Sequence, residues 1–302
     1  MHEQTGDGSK EIETKSAVVA VIGRPSVGKS TLMNRICGYK ISIVTPVPQT
    51  TRNRVRGIYT DDRGQLVFID TPGYHNSTKK FNRAMRSLVS EELGDADIVL
   101  AVIDLARESG AEEQSLLDAL RPHLDKSVVA LNKADIASRR PAEAAAALGE
   151  LAGRTVPVSA TSGQGVDDLV RALFSLAPAG ELMYPAEYYT DQEPTFRVAE
   201  VVREQAMLRT RDELPHALYV DVLDFGVGGD GECLRGRAVI YVERESQKGI
   251  VVGEGGKMIR AIRLASQKEL GEIFERPVYL DLRVKVHPKW RQRDETIRKL
   301  VR

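Results

Sequence analysis

One short segment constrains the fold of this chain more than any other, the eight residues GRPSVGKS from Gly23 to Ser30. It follows AVVAVIG, a continuous apolar run typical of a strand buried on both faces of a sheet, and it precedes the helical stretch TLMNRI. A strand, a glycine-containing loop and a helix in this order are the setting of a phosphate-binding loop, in which backbone N–H groups face phosphate oxygens. The residues predicted to contact phosphate are Gly23, Arg24, Pro25, Ser26, Val27, Gly28, Lys29, Ser30 and Thr31.

Further apolar runs follow the same form, each ending in polar residues: QLVFIDTPG, ADIVLAVIDL, SVVALNKAD and the shorter TVPVSA. Helical patterns lie between them at 82–93, 111–120 and 166–176, and an alanine-rich helix is predicted at 135–153. Strands that alternate with helices predict an α/β domain with a mostly parallel sheet and helices on both faces. Ligands bind such sheets at the carboxyl ends of the strands, where this chain has its polar motifs.

The alternating pattern stops near Pro178 and a different order follows. A helix is predicted at 196–213 and strands at 217–224 and 236–245, joined by a glycine-rich turn that favours an antiparallel pair. Helices around GEGG and the strand PVYLDLRVKV complete a smaller α+β domain. The predicted division is a disordered tail at 1–15, a first domain at 16–178, a linker at 179–194, and a second domain at 195–302 that ends in a basic tail.

Charge and cysteine content exclude several classes of protein. The chain has 302 residues with 43 basic and 43 acidic side chains, so a nucleic-acid-binding surface would have to be local. Two cysteines far apart in sequence, Cys37 and Cys233, indicate neither a disulfide framework nor a zinc site, and they favour a reducing, cytosolic compartment. No apolar run reaches the roughly 18 residues that a transmembrane helix needs.

DTPG, from Asp70 to Gly73, ends the second predicted strand. An aspartate at this point can hold Mg²⁺ through a water, and a glycine lets its backbone N–H approach a γ-phosphate. A D-x-P-G turn is common by itself, but when it follows a phosphate loop it indicates a Mg²⁺ and γ-phosphate contact more strongly.

NKAD, from Asn132 to Asp135, indicates which base is bound. Asp135 can accept hydrogen bonds from two N–H groups of guanine, Lys133 can lie along the base, and Asn132 can tie this loop to the phosphate loop. Adenine has neither donor, so a buried unpaired carboxylate disfavours ATP and with it a small-molecule kinase. Backbone groups of Ser159 and Ala160 in VSA are predicted to close the pocket. The predicted ligands are GTP or GDP with Mg²⁺.

The four motifs in this order resemble the translation-factor-related branch of GTPases, and PQTTR, from Gln49 to Arg52, resembles the switch segment of the bacterial Era family. The resemblance implies that Thr50 or Thr51 coordinates Mg²⁺ when GTP closes the loop, and we favour Thr51. The implied metal contacts are Ser30, Thr51 and Asp70, and the implied catalytic residues are Lys29, Thr51 and Gly73.

Two positions depart from the pattern of related GTPases. Tyr74 and then His75 follow DTPG, where many GTPases have a glutamine that orients the attacking water, so we predict slow intrinsic turnover. Ser26 stands where Era-like proteins usually have an asparagine that accompanies a potassium ion. Whether potassium activates this chain is therefore left open.

The segment GIVVGEGGKMIR, from Gly249 to Arg260, is not a second nucleotide loop, because Val251 and Met258 break both glycine-loop patterns. Era proteins have a C-terminal KH domain with the order α-β-β-α-α-β, which the predicted order matches, and GEGG falls where that domain has its GxxG loop. The loop of a KH domain admits the backbone of about four nucleotides. The predicted RNA contacts are Gly253, Glu254, Gly255, Gly256, Lys257, Arg260 and Arg263.

Two residues of the second domain leave alternatives open. Glu254 places a carboxylate where phosphate would approach, which is unfavourable unless the carboxylate is solvated. Trp290, between Lys289 and Arg291, can either stack on a base or cap the core.

The resemblance implies a GTP-hydrolysing switch that binds the 3′ end of small-subunit ribosomal RNA and assists assembly of that ribosomal subunit. It also implies a cytoplasmic monomer with peripheral contact at the inner face of the cell membrane. The alternative is a signalling GTPase whose second domain binds protein rather than RNA.

Overall fold

The computed structural model describes residues 13–48, 50–71, 73, 93–107, 110–136, 141–146, 148–229 and 231–300. Its two sheets have six and three strands and belong to the first and second halves of the chain.

The first sheet has the strand order β2-β3-β1-β4-β5-β6. All of its pairings are parallel except β2 with β3, so the mostly parallel sheet predicted from the sequence is confirmed. The antiparallel edge strand β2 was not among the predicted strands. The bounds are β1 Lys15–Ile22, β2 Val55–Asp61, β3 Gly64–Asp70, β4 Ile98–Asp104, β5 Ser127–Asn132 and β6 Thr155–Pro157.

Helices cover both faces of this sheet. Alternate residues of the strands point to opposite faces of the sheet. On one face, Leu100 packs in a core with residues of α1 (Lys29–Cys37) and α4 (Val166–Leu176). On the other face, Val99 packs in a core with residues of α2 (Ala111–Leu120) and α3 (Pro141–Ala146). The helices predicted at 111–120 and 166–176 are confirmed at those bounds.

The other two predicted helices of this half have different outcomes. Most of 82–93 lies outside the described residues. The single helix predicted at 135–153 is wrong, because α3 is short and a separate 3₁₀ turn, Gly149–Arg154, follows it. Gly149 has φ +57°, a left-handed conformation that ends helices, and a turn occupies the start of the predicted range.

The segment between the two halves is irregular but packed. The side chain of Gln65, on β3, is fully buried and accepts hydrogen bonds from the backbone N–H groups of Met183 and Tyr184, both at 2.9 Å. Ile58 of β2 donates its backbone N–H to the carbonyl of Tyr189 at 2.9 Å. Residues 183–189 therefore cover β2 and β3.

The second sheet has the order β7-β8-β9, with β7 antiparallel and β9 parallel to β8. The order α-β-β-α-α-β is confirmed, with α5 divided from a short α6. The helix predicted at 196–213 ends early, and Pro215 lies in the first turn of α6, where proline is tolerated. The bounds are α5 Pro194–Arg209, α6 Leu214–Ala217, β7 Tyr219–Val227, β8 Leu234–Val242, α7 Glu245–Val252, α8 Lys257–Phe274, β9 Val278–Val286 and α9 Asp294–Leu300.

The basic C-terminal segment is folded over its described part, which includes α9. Trp290 is fully buried beside Tyr219 and Ile297, and its indole Nε1 donates to the carbonyl of Ala217 at 2.8 Å. Of the two alternatives for Trp290, its burial supports the core. Within the described ranges, no helix combines the length and apolar content that crossing a membrane requires.

Candidate functional site

A cavity of about 440 Å³ opens at the carboxyl ends of β1, β3 and β5. Its volume falls within the range of small-molecule sites. Of the predicted nucleotide and metal contacts, it is lined by Pro25, Ser26, Gly28, Lys29, Ser30, Thr31, Thr51, Gly73, Asn132, Lys133, Asp135 and Ala160. The remaining predicted contacts, Gly23, Arg24, Val27, Asp70 and Ser159, do not line it.

Gly28 of the phosphate loop and Gly73 of DTPG lie so close to neighbouring atoms that a side chain would not fit at either position. At Gly28, with φ +98°, a Cβ atom would lie 2.4 Å from the side-chain nitrogen of Asn132. At Gly73 a Cβ would lie 2.8 Å from Cα of Pro25, so DTPG touches the phosphate loop directly. Arg24 turns away from the cavity, with its Nε 2.6 Å from the Glu113 carboxylate.

Lys29 is the buried cation of the loop. Its Nζ donates to the carbonyl oxygens of Gly23 at 3.1 Å and Arg24 at 3.2 Å. Burial lowers the pKa of Lys29 to about 8, and the charge of Asp70 opposes this shift. The ammonium group therefore stays largely protonated at neutral pH and suits a phosphate.

Three predicted metal contacts converge. The hydroxyl of Ser30 donates to Oδ2 of Asp70 at 2.6 Å, and Oγ1 of Thr51 lies 3.1 Å from Ser30 Oγ and 3.3 Å from Asp70 Oδ2. Burial raises the pKa of Asp70, although the charge of Lys29 opposes the shift. The other carboxylate oxygen, Oδ1, is buried without a hydrogen-bond partner among the described residues. Hard oxygen donors and an unsatisfied carboxylate fit Mg²⁺, which prefers oxygen ligands.

The neighbouring Thr50 is arranged differently. Its hydroxyl donates to the carbonyl of Val47 at 2.7 Å and lies 2.6 Å from the hydroxyl of Thr45, within its own loop. Of the two threonines left open by the sequence, Thr51 is the one that contacts Ser30 and Asp70.

The base-recognition loop is fixed from several sides. Asn132 is buried; its side-chain amide donates to Val27 at 2.7 Å, and its oxygen accepts from the backbone N–H of Ala160 at 3.0 Å. Lys133 has φ +64°, and its Nζ lies 2.7 Å from the carboxylate of Asp104. Asp135 is exposed and lines the cavity, whereas Ser159 is fully buried.

Sequence reasoning missed several residues of this site. Arg35, on α1, donates from Nε to the carbonyl of Ala160 at 3.2 Å and from Nη2 to that of Thr161. No local pattern marks Arg35, whereas Asp104 could have been noticed as an acid that ends an apolar strand. The other cavity-lining residues that were not predicted are Ile43, Val44, Thr45, Pro46, Val47, Ile136 and Thr161, five of them in the segment 41–52 that precedes β2.

The GEGG loop lies between α7 and α8, on the second half of the chain. At Gly253, with φ +73°, a Cβ atom would lie 2.7 Å from Cβ of Met258, so the fold itself requires this glycine. Gly255 and Gly256, at φ +57° and +77°, would direct a Cβ into open space. These last two glycines present backbone at an open surface.

The charges around this loop are mostly exposed. The carboxylate of Glu254 lies 3.4 Å from the ammonium group of Lys257, and their side chains are 91% and 80% exposed. Glu254 is therefore both solvated and paired. Arg260 is also exposed, whereas Arg263 is half-buried, because a spacing of three residues rotates each successive side chain around the helix.

Two family models match the chain. A model described as a 50S ribosome-binding GTPase covers residues 18–133, and a KH-domain model covers residues 213–291. GTPase Era of Treponema denticola is 46% identical over 290 residues, which are 94% of this chain and 99% of that protein. The chain belongs to the Era family of GTPases. GTPase Era of Borreliella burgdorferi is 43% identical over 290 residues, with 95% of this chain and 99% of that protein covered.

Solved Era structures share the whole architecture. An Aquifex aeolicus Era variant bound to GDP and AlF4⁻ has a TM-score of 0.87 and 33% identity, covering 95% of this chain and 99% of that one. Era in complex with MgGDPNP and nucleotides 1506–1542 of 16S ribosomal RNA has a TM-score of 0.89 and 34% identity, covering 95% and 98%. This Era-family chain is thus a GTPase with a P-loop GTPase domain followed by a KH domain, as the sequence predicted.

Proposed function

We propose that this protein is a Mg²⁺-dependent GTP switch that binds the 3′ end of small-subunit ribosomal RNA through its GEGG loop and assists assembly of that subunit. The observation that carries the proposal is the convergence of Ser30, Thr51 and Asp70 beside Lys29, in a chain that also presents an open glycine loop. The Era complex with MgGDPNP and 16S ribosomal RNA nucleotides supports both halves of the proposal.

In the proposed GTPase site, Lys29 neutralises charge on the β- and γ-phosphates, and the N–H of Gly73 meets the γ-phosphate. Ser30 and Thr51 would hold Mg²⁺ directly, and Asp70 would hold it through a water. The metal supplies charge stabilisation in the loose transition state for attack by water. Tyr74, which stands in place of the usual glutamine, and His75 lie outside the described residues, so slow intrinsic turnover stays a prediction.

Guanine recognition is assigned to Asp135, whose exposed carboxylate lies at the cavity rim. An Asp135→Asn variant should prefer xanthosine over guanosine nucleotides, because an amide can donate to the extra oxygen of xanthine where a carboxylate accepts from guanine. Competitive binding of GTP, XTP and ATP to both proteins measures the preference. An unaltered preference for GTP would place base recognition elsewhere, and a wild-type preference for ATP would exclude a GTP switch.

RNA binding is assigned to backbone at Gly255 and Gly256, with Lys257 and Arg260 as phosphate contacts. The test is a Gly255→Asp, Gly256→Asp double variant, in which two carboxylates enter the open surface. The matched control is Gly255→Asn, Gly256→Asn, which places similar side chains in the same left-handed backbone without charge. Gly253 is left unchanged because its substitution would distort the loop.

Crosslinking followed by RNA identification should recover the 3′ end of small-subunit ribosomal RNA with the wild type, and at least about tenfold less with the Asp variant than with the Asn control. GTP affinity should be equal in all three proteins. Equal RNA recovery with the Asp and Asn variants would show that the GEGG loop does not bind the RNA. Recovery of a protein partner alone would favour the signalling alternative.

We also propose that the protein acts as a cytoplasmic monomer with peripheral membrane contact, since the resemblance to Era implies these properties. Sedimentation of the purified chain and its partition between soluble and membrane fractions test them separately. A stable dimer, or absence of the protein from the membrane fraction, would overturn the respective statement.

A further inference from the structure

Arg52 extends from the switch segment of the GTPase domain into the second half of the chain. The side chain is 95% buried, since only 5% of the residue is exposed. Nη1 donates to the carbonyl oxygen of Leu218 at 2.8 Å, and Nη2 donates to those of Pro215 and His216, both at 3.3 Å. The residue before it, Thr51, contacts Ser30 and Asp70.

The carbonyls that Arg52 contacts are at the end of α6, where a helix leaves its last carbonyl oxygens without intrahelical partners. The remaining carbonyl of that turn, on Ala217, accepts from Trp290 Nε1 at 2.8 Å. The guanidinium carbon of Arg52 also lies 5.6 Å from the centre of the Trp290 ring. Arg52 and Trp290 together cap α6, and a buried cation with such hydrogen bonds resists displacement.

This anchor bears on Thr51 because the two residues are adjacent. Consecutive Cα atoms are about 3.8 Å apart, so the main chain cannot carry Arg52 out of its site without moving Thr51. The hydroxyl of Thr51 has to keep its position beside Ser30 and Asp70 to within a fraction of an ångström to act as a metal ligand.

We infer that Arg52 is a positioning residue for GTP hydrolysis, which makes the placement of Thr51 depend on the KH domain being docked against the switch segment. The inference rests on the metal-binding role proposed for Thr51. In GTPases the switch segment is ordered by contacts with the γ-phosphate and Mg²⁺ and is released after hydrolysis. Loss of the anchor should therefore affect the triphosphate and spare the diphosphate.

The test compares full-length wild type, Arg52→Ala, Arg52→Lys, Thr51→Ala and the double variant Thr51→Ala, Arg52→Ala. Affinities for GDP and for the non-hydrolysable analogue GDPNP are measured with Mg²⁺, together with single-turnover GTP hydrolysis. The control is Arg56→Ala, which removes an arginine on β2 that is 46% exposed and pairs with Asp191 at 2.8 Å. Thermal unfolding checks that each variant is folded.

Arg52→Ala should weaken GDPNP about tenfold and slow hydrolysis about tenfold, with GDP affinity within about twofold of wild type. Arg52→Lys, which keeps the charge but cannot reach three carbonyls, should fall between wild type and Arg52→Ala. The double variant should be no weaker than Thr51→Ala, because both changes remove the same placed hydroxyl.

An equal loss of GDP and GDPNP affinity in Arg52→Ala would show a merely structural role and overturn the inference. It would also be overturned if the losses of GDPNP affinity in Thr51→Ala and Arg52→Ala multiplied in the double variant. A selective loss in Thr51→Ala without one in Arg52→Ala would overturn the inference and leave the proposed metal role standing. Wild-type GDPNP affinity in Thr51→Ala would overturn both.

Discussion

Asn132 joins the base-recognition loop to the phosphate loop, because its side-chain amide donates to the carbonyl oxygen of Val27 at 2.7 Å. The same side chain accepts from the backbone N–H of Ala160 at 3.0 Å. Both hydrogen bonds are buried, so three segments that are far apart in sequence share one small polar group. The geometry of the cavity therefore depends on the side-chain amide of Asn132, whether or not this amide contacts the nucleotide.

Asn132→Asp should weaken GTP and GDP equally. The substitution keeps the size of the side chain but replaces a donor by a carboxylate that faces the Val27 carbonyl, which costs about 1.5–3 kcal/mol, or roughly ten- to a hundredfold in affinity. Titration with fluorescent nucleotides measures the change. Gln164→Glu is the control, since it makes the same amide-to-acid change on an exposed side chain nearby. Equal affinities in the two variants would contradict the structural role of Asn132.

Thr51→Ala should slow GTP hydrolysis roughly tenfold or more and raise the Mg²⁺ concentration needed for half-maximal rate, because a metal ligand is lost. Thr50→Ala should slow hydrolysis less, since Thr50 hydrogen-bonds to Val47 within its own loop. Single-turnover hydrolysis across a series of Mg²⁺ concentrations distinguishes the two. A larger effect of Thr50→Ala on the Mg²⁺ requirement would exchange the roles of the two threonines.

Lys40→Met should lower the free energy of unfolding by about 2 kcal/mol. The ammonium group of Lys40 lies 2.5 Å from the carboxylate of Glu204, whose side chain is 2% exposed, and it also pairs with Glu269. Removing the cation leaves a buried charge unpaired, which costs about 3–5 kcal/mol for a fully buried pair and less here because Lys40 is 37% exposed.

Adding Glu204→Gln to Lys40→Met should restore part of that loss, and urea unfolding of the four proteins forms a double-mutant cycle. The control is Lys248→Met, which breaks an exposed pair with Glu245 at 3.6 Å and should change stability by less than about 0.5 kcal/mol. Additive effects of the two substitutions in the cycle would contradict a direct interaction.

Stability should decrease as the pH falls through about 6.5, and His287 should contribute to the decrease. Burial lowers the pKa of His287 from its ordinary value of 6.5, and the charge of Arg293 adds to the lowering. Nδ1 lies 2.7 Å from the hydroxyl of Tyr219, and it can accept from that hydroxyl when the ring is neutral. The unfolded chain therefore takes up a proton at a higher pH than the folded chain, so this contribution is complete above about 6.5 and is lost below it.

His287→Asn should flatten this part of the pH profile, since asparagine offers an acceptor that does not titrate. Urea unfolding of both proteins between about pH 5 and 7.5 measures the difference in slope. Parallel slopes for the wild type and the variant would show that another group is responsible.

The parts of the fold that the sequence could predict are those with strong local patterns. The strands that end in DTPG and NKAD are continuous apolar runs, and α2 and α4 lie at their predicted bounds because each has an apolar stripe of helical period. The edge strand β2 has no such run, since its sequence VRGIYTD includes Arg56 and Gly57. Gly57 serves tertiary packing, with a Cβ there 3.0 Å from Sγ of Cys37.

The site divides in the same way. Lys29 and Asp135 could be located because they belong to motifs with fixed spacing in strand–loop–helix settings. Arg35 and Arg52 could not, because they contact backbone carbonyls that lie 125 and 166 residues away in sequence. The packing of helices and domains decides which carbonyl an arginine contacts. The residues next to the arginine in sequence therefore do not predict the contact.

The packing of residues 183–189 on β2 and β3 determines where the chain can be divided for separate study. A fragment ending at Pro178 would leave the buried amide of Gln65 without Met183 and Tyr184, and it would uncover the backbone N–H of Ile58. Each newly unpaired buried group costs about 1–3 kcal/mol, a large share of the stability of a small domain. An autonomous nucleotide-binding fragment should therefore extend to Asp191, so that the cut falls just before α5.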